Sequence, residues 1–200
     1  MDDHLPWIDR IVEVTGWRQD PEEADWEQVE AGLGVALPTD FKELCRRFVP
    51  GAFYGYLDLL RPTDDHNAQP LLRTWAFCRQ YAHEHGSSGL WAPYDMYGLG
   101  EGPGLIQWGG DQREGEYYWL ADRSTESDRW PVVARTEGGE PWHRFDMSTA
   151  EFVHRLIADP QFTPFTVADP SRRAFYLPYW GPFPMNAEDW DALTDPHRDG

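Results

Sequence analysis

The apolar and polar positions divide the chain into short amphipathic helices, a run of strands, and one closing helix before a proline-rich end. Trp7, Ile8, Ile11 and Val12 recur at helical spacing behind Leu5-Pro6, and Gly16 ends that segment. Asp20-Pro21-Glu22-Glu23 has the chemistry of a helix start: a carboxylate cap, proline at the first position, and glutamate three residues after the cap. Trp26, Val29 and Leu33 then supply an apolar stripe, and Gly34 is placed for a left-handed cap. After Leu37-Pro38, Thr39 is expected to cap a third helix carrying Phe41, Leu44, Cys45 and Phe48, closed by Pro50-Gly51. The longest helical pattern runs from Gln69 to His85, with Leu72, Trp75, Ala76, Arg79 and Ala82 along one side.

The period then shortens. Tyr56 to Leu60 is β-like, and Arg61-Pro62 ends it. Residues 91–104 hold too many glycines and prolines for a regular element. A strand ending at Trp108, a turn rich in Gly and Asp, and a second strand from Glu116 through Tyr117-Tyr118-Trp119-Leu120 read as a hairpin. Asp128 to Ala134 and Trp142 to Phe145 read as further strands, and Ser148 caps a helix whose Phe152, Val153, Leu156 and Ile157 face inward. The expected fold is α+β: a mixed or antiparallel sheet of about five to six strands flanked by helices. Its domains would be an N-terminal helix and linker (1–19), a central domain (20–158) and an arm (161–200). That arm alternates prolines with Phe162, Phe165, Phe175, Tyr176, Tyr179, Trp180, Phe183 and Trp190, which is too apolar for free disorder. It is expected to be irregular and to pack on the domain.

Charge narrows the partners. Of 200 residues, 17 are Lys or Arg and 35 are Asp or Glu, a formal net charge of −18. Such a field repels nucleic-acid phosphates and anionic membranes and attracts basic proteins. No apolar run approaches the ~18 residues of a membrane-spanning helix. The acidic start Met1-Asp2-Asp3-His4 lacks the order of a signal peptide, so a cytoplasmic protein is expected. The two cysteines, Cys45 and Cys78, lie in helical patterns without metal-ligand spacing, where a buried free thiol is the usual state.

Candidate chemistry is sparse. His83 and His85 lie two apart on a helix, point in different directions, and suit the negative end of the helix without a metal. Asp64-Asp65-His66 is a polar loop with no nucleophile to serve. Asp111-Gln112-Arg113-Glu114-Gly115 lacks the alternating ligands and distal glutamate of a calcium loop and reads as a hairpin tip. Gly98 to Gly104 lacks the Lys-Ser/Thr ending and following helix of a phosphate cradle, and its Glu101 would repel a phosphate. No catalytic set, cofactor site or metal cage is expected. What remains is acidic display on loops, with Asp64, Asp65, Glu101, Asp111, Glu114 and Glu116 as the candidate partner-binding residues.

Trp26-Glu27-Gln28-Val29-Glu30, Leu33-Gly34, Leu37-Pro38-Thr39-Asp40-Phe41-Lys42-Glu43-Leu44 and Gly51 resemble the opening of the SUKH superfamily, the Smi/Knr-type domain. Leu105-Ile106-Gln107-Trp108-Gly109, the hairpin into Tyr118-Trp119-Leu120, and Trp130-Pro131-Val132-Val133 are similar to its middle strands, and Ser148 to Ile157 to its closing helix. The resemblance covers residues 20–158 and leaves the arm outside. It implies an α+β domain. Bacterial members are immunity proteins that bind and neutralise a cognate toxin, often a nuclease, in the cytoplasm; eukaryotic relatives are cell-wall or signalling regulators. The function it implies is therefore non-catalytic binding of a basic protein toxin, with a regulatory or scaffold domain as the alternative.

Overall fold

The structure is a computed structural model, and it describes residues 5–18, 20–62, 70–86, 89–136, 141–164 and 173–179. Along the chain it forms α1 (Leu5–Thr15), α2 (Glu27–Leu33), α3 (Thr39–Arg47), β1 (Gly51–Phe53), β2 (Leu57–Leu59), α4 (Leu71–His85), β3 (Gly104–Asp111) and β4 (Glu116–Ala121). A 3-10 turn at Ser127–Arg129 leads to β5 (Val132–Arg135), β6 (His143–Phe145), α5 (Thr149–Ala158) and β7 (Tyr176–Pro178). The strands make one antiparallel sheet in the order β6-β5-β4-β3-β2-β1-β7. The α+β class is as the sequence implies, with seven strands among the described residues rather than five to six. The additions are β1, where Pro50-Gly51 reads locally as a helix stop, and β7 from the C-terminal arm.

One face of the sheet carries the main core. Phe53, Leu57, Ile106, Trp108, Tyr117, Trp119 and Val132 alternate inward, as period-2 strands require, and meet the stripes of α1, α2, α3 and α5. Phe41 of α3 lies edge-on to Trp119 at 4.8 Å and to Trp26 at 5.5 Å, a preferred aromatic arrangement. Ile8 and Ile11 seat α1 beside α5, whose Phe152, Val153, Leu156 and Ile157 are buried as expected. Ser148 does cap α5: its Oγ accepts the Glu151 N–H at 3.2 Å.

Two helix starts and one buried helix face depart from expectation. Residues 20–26 are not helical, and α2 begins at Glu27, whose N–H donates to Asp25 Oδ1 at 3.0 Å. The Glu22 N–H instead donates to the Arg46 carbonyl at 2.8 Å, so the end of α3 claims this stretch. Thr39 is the first residue of α3 rather than its cap: its N–H and hydroxyl both donate to Asp128 Oδ1, at 2.5 and 2.9 Å, so a carboxylate from the distant 3-10 turn takes the capping role. Helix α4 is turned relative to the expected stripe. Leu71, Cys78 and Ala82 are buried, while Ala76 and Arg79 are exposed. Gly34 holds its predicted left-handed cap, with φ +71°.

Helix α4 and the loop after it cover part of the second sheet face, where Cys78, Trp91, Met96, Leu105, Tyr118 and Val133 form a smaller cluster. Both cysteines are free and buried. Beside β1 the arm is ordered: Ala174, Phe175 and Tyr176 are buried, and Tyr176 pairs with Phe53. Gly51 permits this approach, because a Cβ there would strike the Leu177 carbonyl. The remainder of the arm expectation, at 165–172 and 180–200, lies outside the described residues. Among the described residues no helix is long and apolar enough to cross a membrane.

Candidate functional site

The hairpin runs further than the sequence implies. Strand β3 continues past Trp108 through a β-bulge between Gln107 and Gly109 and ends at Asp111. Asp111 organises the turn: Oδ1 accepts the N–H groups of Arg113 and Gly115 at 2.8 and 2.9 Å, and Oδ2 accepts the Tyr117 hydroxyl at 2.7 Å. This is the side-chain turn that Asp is suited to build. Glu114 then sits exposed in the left-handed region, φ +65°.

Glu116 opens β4 and is held on both oxygens. Oε2 accepts Arg135 Nε at 2.5 Å and Oε1 accepts the Tyr118 hydroxyl at 3.2 Å. Arg135 is buried, also donates to the Leu90 carbonyl at 2.6 Å, and lies 4.3 Å from the Trp142 ring centroid. A buried guanidinium needs such a partner, so Glu116 is structural as well as acidic.

A cavity of about 320 Å³ lies between this hairpin end and β2. Asp58, Asp111, Glu114 and Glu116 all line it, with Gln107 and Tyr179 as neutral polar neighbours and Leu59 and Leu60 as apolar lining. Asp58 is the member that residue-by-residue reading of the sequence missed. It stands at the centre of β2 between buried Leu57 and Leu59, opposite Gly110 of β3. Its signal was a lone carboxylate alternating with leucines, polar on one sheet face. Burial, and then the charge of Asp111, push its pKa up from 3.8 to about 7. Tyr179 donates its hydroxyl to Asp58 Oδ1. Burial, and then Asp111, likewise push Tyr56 up to about 12 and Tyr117 well above the usual phenol range.

The expected partner-binding residues therefore divide. Asp111, Glu114 and Glu116 converge on one cavity. Glu101 precedes β3 at its opposite end, and the strand itself spans roughly 24 Å from Gly104 to Asp111 by strand rise. Its charge faces Arg123, whose guanidinium lies over Tyr97. Asp64 and Asp65 lie outside the described residues. His83 and His85 are exposed, and His85 stacks on Tyr81 at 4.0 Å, away from any carboxylate set. Among the described residues no group of three or more His, Cys, Asp or Glu side chains is placed to hold a metal ion.

Chemically, the cavity offers concentrated negative charge beside apolar wall. That combination suits a lysine or arginine side chain, whose aliphatic stem packs while its head meets carboxylates. Among the described residues that line it, none is a Ser, Thr, Cys, His or Lys. No protein-family model, curated protein or solved structure matches the chain.

Proposed function

We propose that the chain is a non-catalytic binding protein of the SUKH immunity type, which neutralises a basic toxin, such as a nuclease, by direct contact in the cytoplasm. The observation that carries this reading is the convergence of Asp58, Asp111, Glu114 and Glu116 on one cavity of a chain with net charge −18. A nuclease is basic where it grips phosphate, so an acidic surface competes with its substrate and speeds encounter. The α+β architecture is compatible with the resemblance that motivates the reading.

The raised pKa of Asp58 next to Asp111 also fits a second reading, an acid/base carboxylate pair. Three hydrogen bonds already occupy Asp111 in forming the turn, which favours binding over proton transfer.

Co-expression with toxins encoded in the same genome, scored by survival and by co-purification, tests the proposal. The double substitution Asp58→Asn and Glu114→Gln should slow association and flatten its salt dependence. Undiminished protection and an unchanged association rate in that variant would remove the cavity from the interface. Turnover of any substrate that Asp58→Asn abolishes would establish the acid/base reading instead.

A further inference from the structure

Among the described residues, the exposed large apolar side chains are Phe77 on α4 and Leu90 in the loop after it, at 69% and 52% exposure. Apolar side chains scattered singly over a surface need no explanation, but these two belong to one layer, the cover over the second sheet face. At position 77 a lysine or glutamate would serve the helix better, both by propensity and by solvation. We propose that Phe77 and Leu90 are the apolar anchors of a docking face that continues into the acidic cavity, and that this face takes a partner's protein segment carrying lysine or arginine beside large apolar side chains. The inference deepens the reading of the chain as a binder of a basic protein and rests on it.

Both anchors connect to the cavity through Glu116, which lines it. The Leu90 carbonyl accepts Arg135 Nη1 at 2.6 Å, and Arg135 Nε donates to Glu116 Oε2 at 2.5 Å. The next residue, Trp91, donates Nε1 to the Tyr118 hydroxyl at 2.9 Å, and that hydroxyl donates in turn to Glu116 Oε1. From the α4 side, Phe77 and Tyr81 share a stripe at i, i+4 spacing, and Tyr81 lies edge-on to Trp91 at 6.0 Å. Cys78, beside Phe77 in the chain, is buried, and burial followed by the Glu116 charge pushes its thiol up to about 11. Cavity and anchors are thus two ends of one frame with Glu116 at its joint. The Leu90 backbone is held while its side chain stands in solvent, so docking there orders little that is not already ordered.

Charge decides what the face takes. At the cavity end, Asp58, Asp111, Glu114 and Glu116 supply a negative field. On α4, Arg73 and Arg79 stand against Glu84, besides two histidines, so the anchor end is close to balance and does little steering. A chain of cations alone would meet the cavity and leave Phe77 and Leu90 wet. A purely apolar segment would leave the carboxylates unmatched. A cationic segment with large apolar side chains meets both ends, and its apolar contacts add affinity that salt does not screen.

The test uses the full chain, the double variant Phe77→Ala with Leu90→Ala, and two synthetic peptides of equal charge. One is octa-lysine; the other is an amphipathic helix of eight lysines and eight leucines. Both substitutions fall on exposed side chains and alanine suits a helix, so an unchanged melting curve should show the fold kept. Calorimetry at low and high salt reads the affinities. The native chain should bind the amphipathic peptide about tenfold more tightly than octa-lysine, and the double variant should lose that preference while its octa-lysine affinity stays native. The loss should persist at high salt, where binding of octa-lysine fades. Full affinity of the double variant for the amphipathic peptide would overturn the shared face and leave the cavity reading standing. A native chain that binds neither peptide would overturn both. In sedimentation the native chain should run as a monomer, and a dimer that the double variant splits would assign the anchors to a second copy and overturn the inference as well.

Discussion

The two faces of the sheet solve opposite problems with the same strands. On the helix-packed face, Phe41, Trp108, Trp119 and Phe152 are fully buried, with Phe41 edge-on to both tryptophans and Phe152 edge-on to Trp108. On the other face, the strands at the hairpin end present Asp58, Gln107 and Glu116 to a cavity. The packed face gains stability by burying apolar side chains. The open face holds carboxylates together, and burial beside Asp111 pushes the Asp58 carboxyl up to about 7. A fold that tolerates such a cluster is using the stability of one face to maintain an unfavourable arrangement on the other, a pattern associated with functional sites.

The sharpest way to break this comparison is to hollow the packed face. Phe41→Ala removes a ring in contact with Trp26, Trp108 and Trp119 and should cost about 3–5 kcal/mol in denaturant unfolding. A loss below ~1 kcal/mol would mean that the core is far looser than its burial implies.

Asp58→Asn probes the other face, and the expected sign is reversed. The folded pKa of Asp58 stands above its unfolded value of 3.8, so between pH 4 and 7 the native state binds the extra proton. Its contribution to stability is therefore greatest below pH 4 and declines as pH rises through 7. Asp58→Asn should remove that decline and leave the variant more stable than the native protein at pH 8, while weakening its grip on a basic partner. Parallel stability curves for the two proteins from pH 4 to 8 would show that Asp58 is not under electrostatic stress.

What the sequence disclosed follows the same division. The packed face was legible because its signals are local: Val29 and Leu33 before Gly34, and Ser148 ahead of Phe152 and Leu156, declare spacing and cap within one element. Distant partners decided the failures. Asp20-Pro21 carries a sound start signal, yet Glu22 bonds to the end of α3. Gly51 reads as a stop until β7 arrives from more than 120 residues away. The cavity was legible only by halves. Asp111, Glu114 and Glu116 sit together in the chain, whereas Asp58 joins them through the register that sets it opposite Gly110. A hydrophobic alternation announces a strand without naming its neighbour.

Ser148→Ala should have an intermediate effect on the packed side. It leaves the Glu151 N–H without its acceptor and should cost about 1 kcal/mol. Asp40 Oδ2 still accepts the Ala150 N–H at 2.7 Å, so the helix end keeps one ligand and the loss should be partial. Asp40→Ala should then cost more than Ser148→Ala by equilibrium unfolding, since Asp40 is buried and its bond ties α3 to α5.

Glu114→Gln carries the smallest expected effect on stability and the cleanest statement about function. Glu114 is exposed at the hairpin tip, whereas Asp111 shapes the turn and Glu116 neutralises buried Arg135. Neutralising either of those two alters the fold as well as the field. Glu114→Gln should shift unfolding by no more than about 0.5 kcal/mol. Its association with a basic partner should nevertheless slow at low salt and converge on the native rate as salt rises, because exposed charges are screened beyond a Debye length. Equal rates at every ionic strength would place the encounter surface away from the hairpin tip, and the open face would then need another reason for its unrelieved charge.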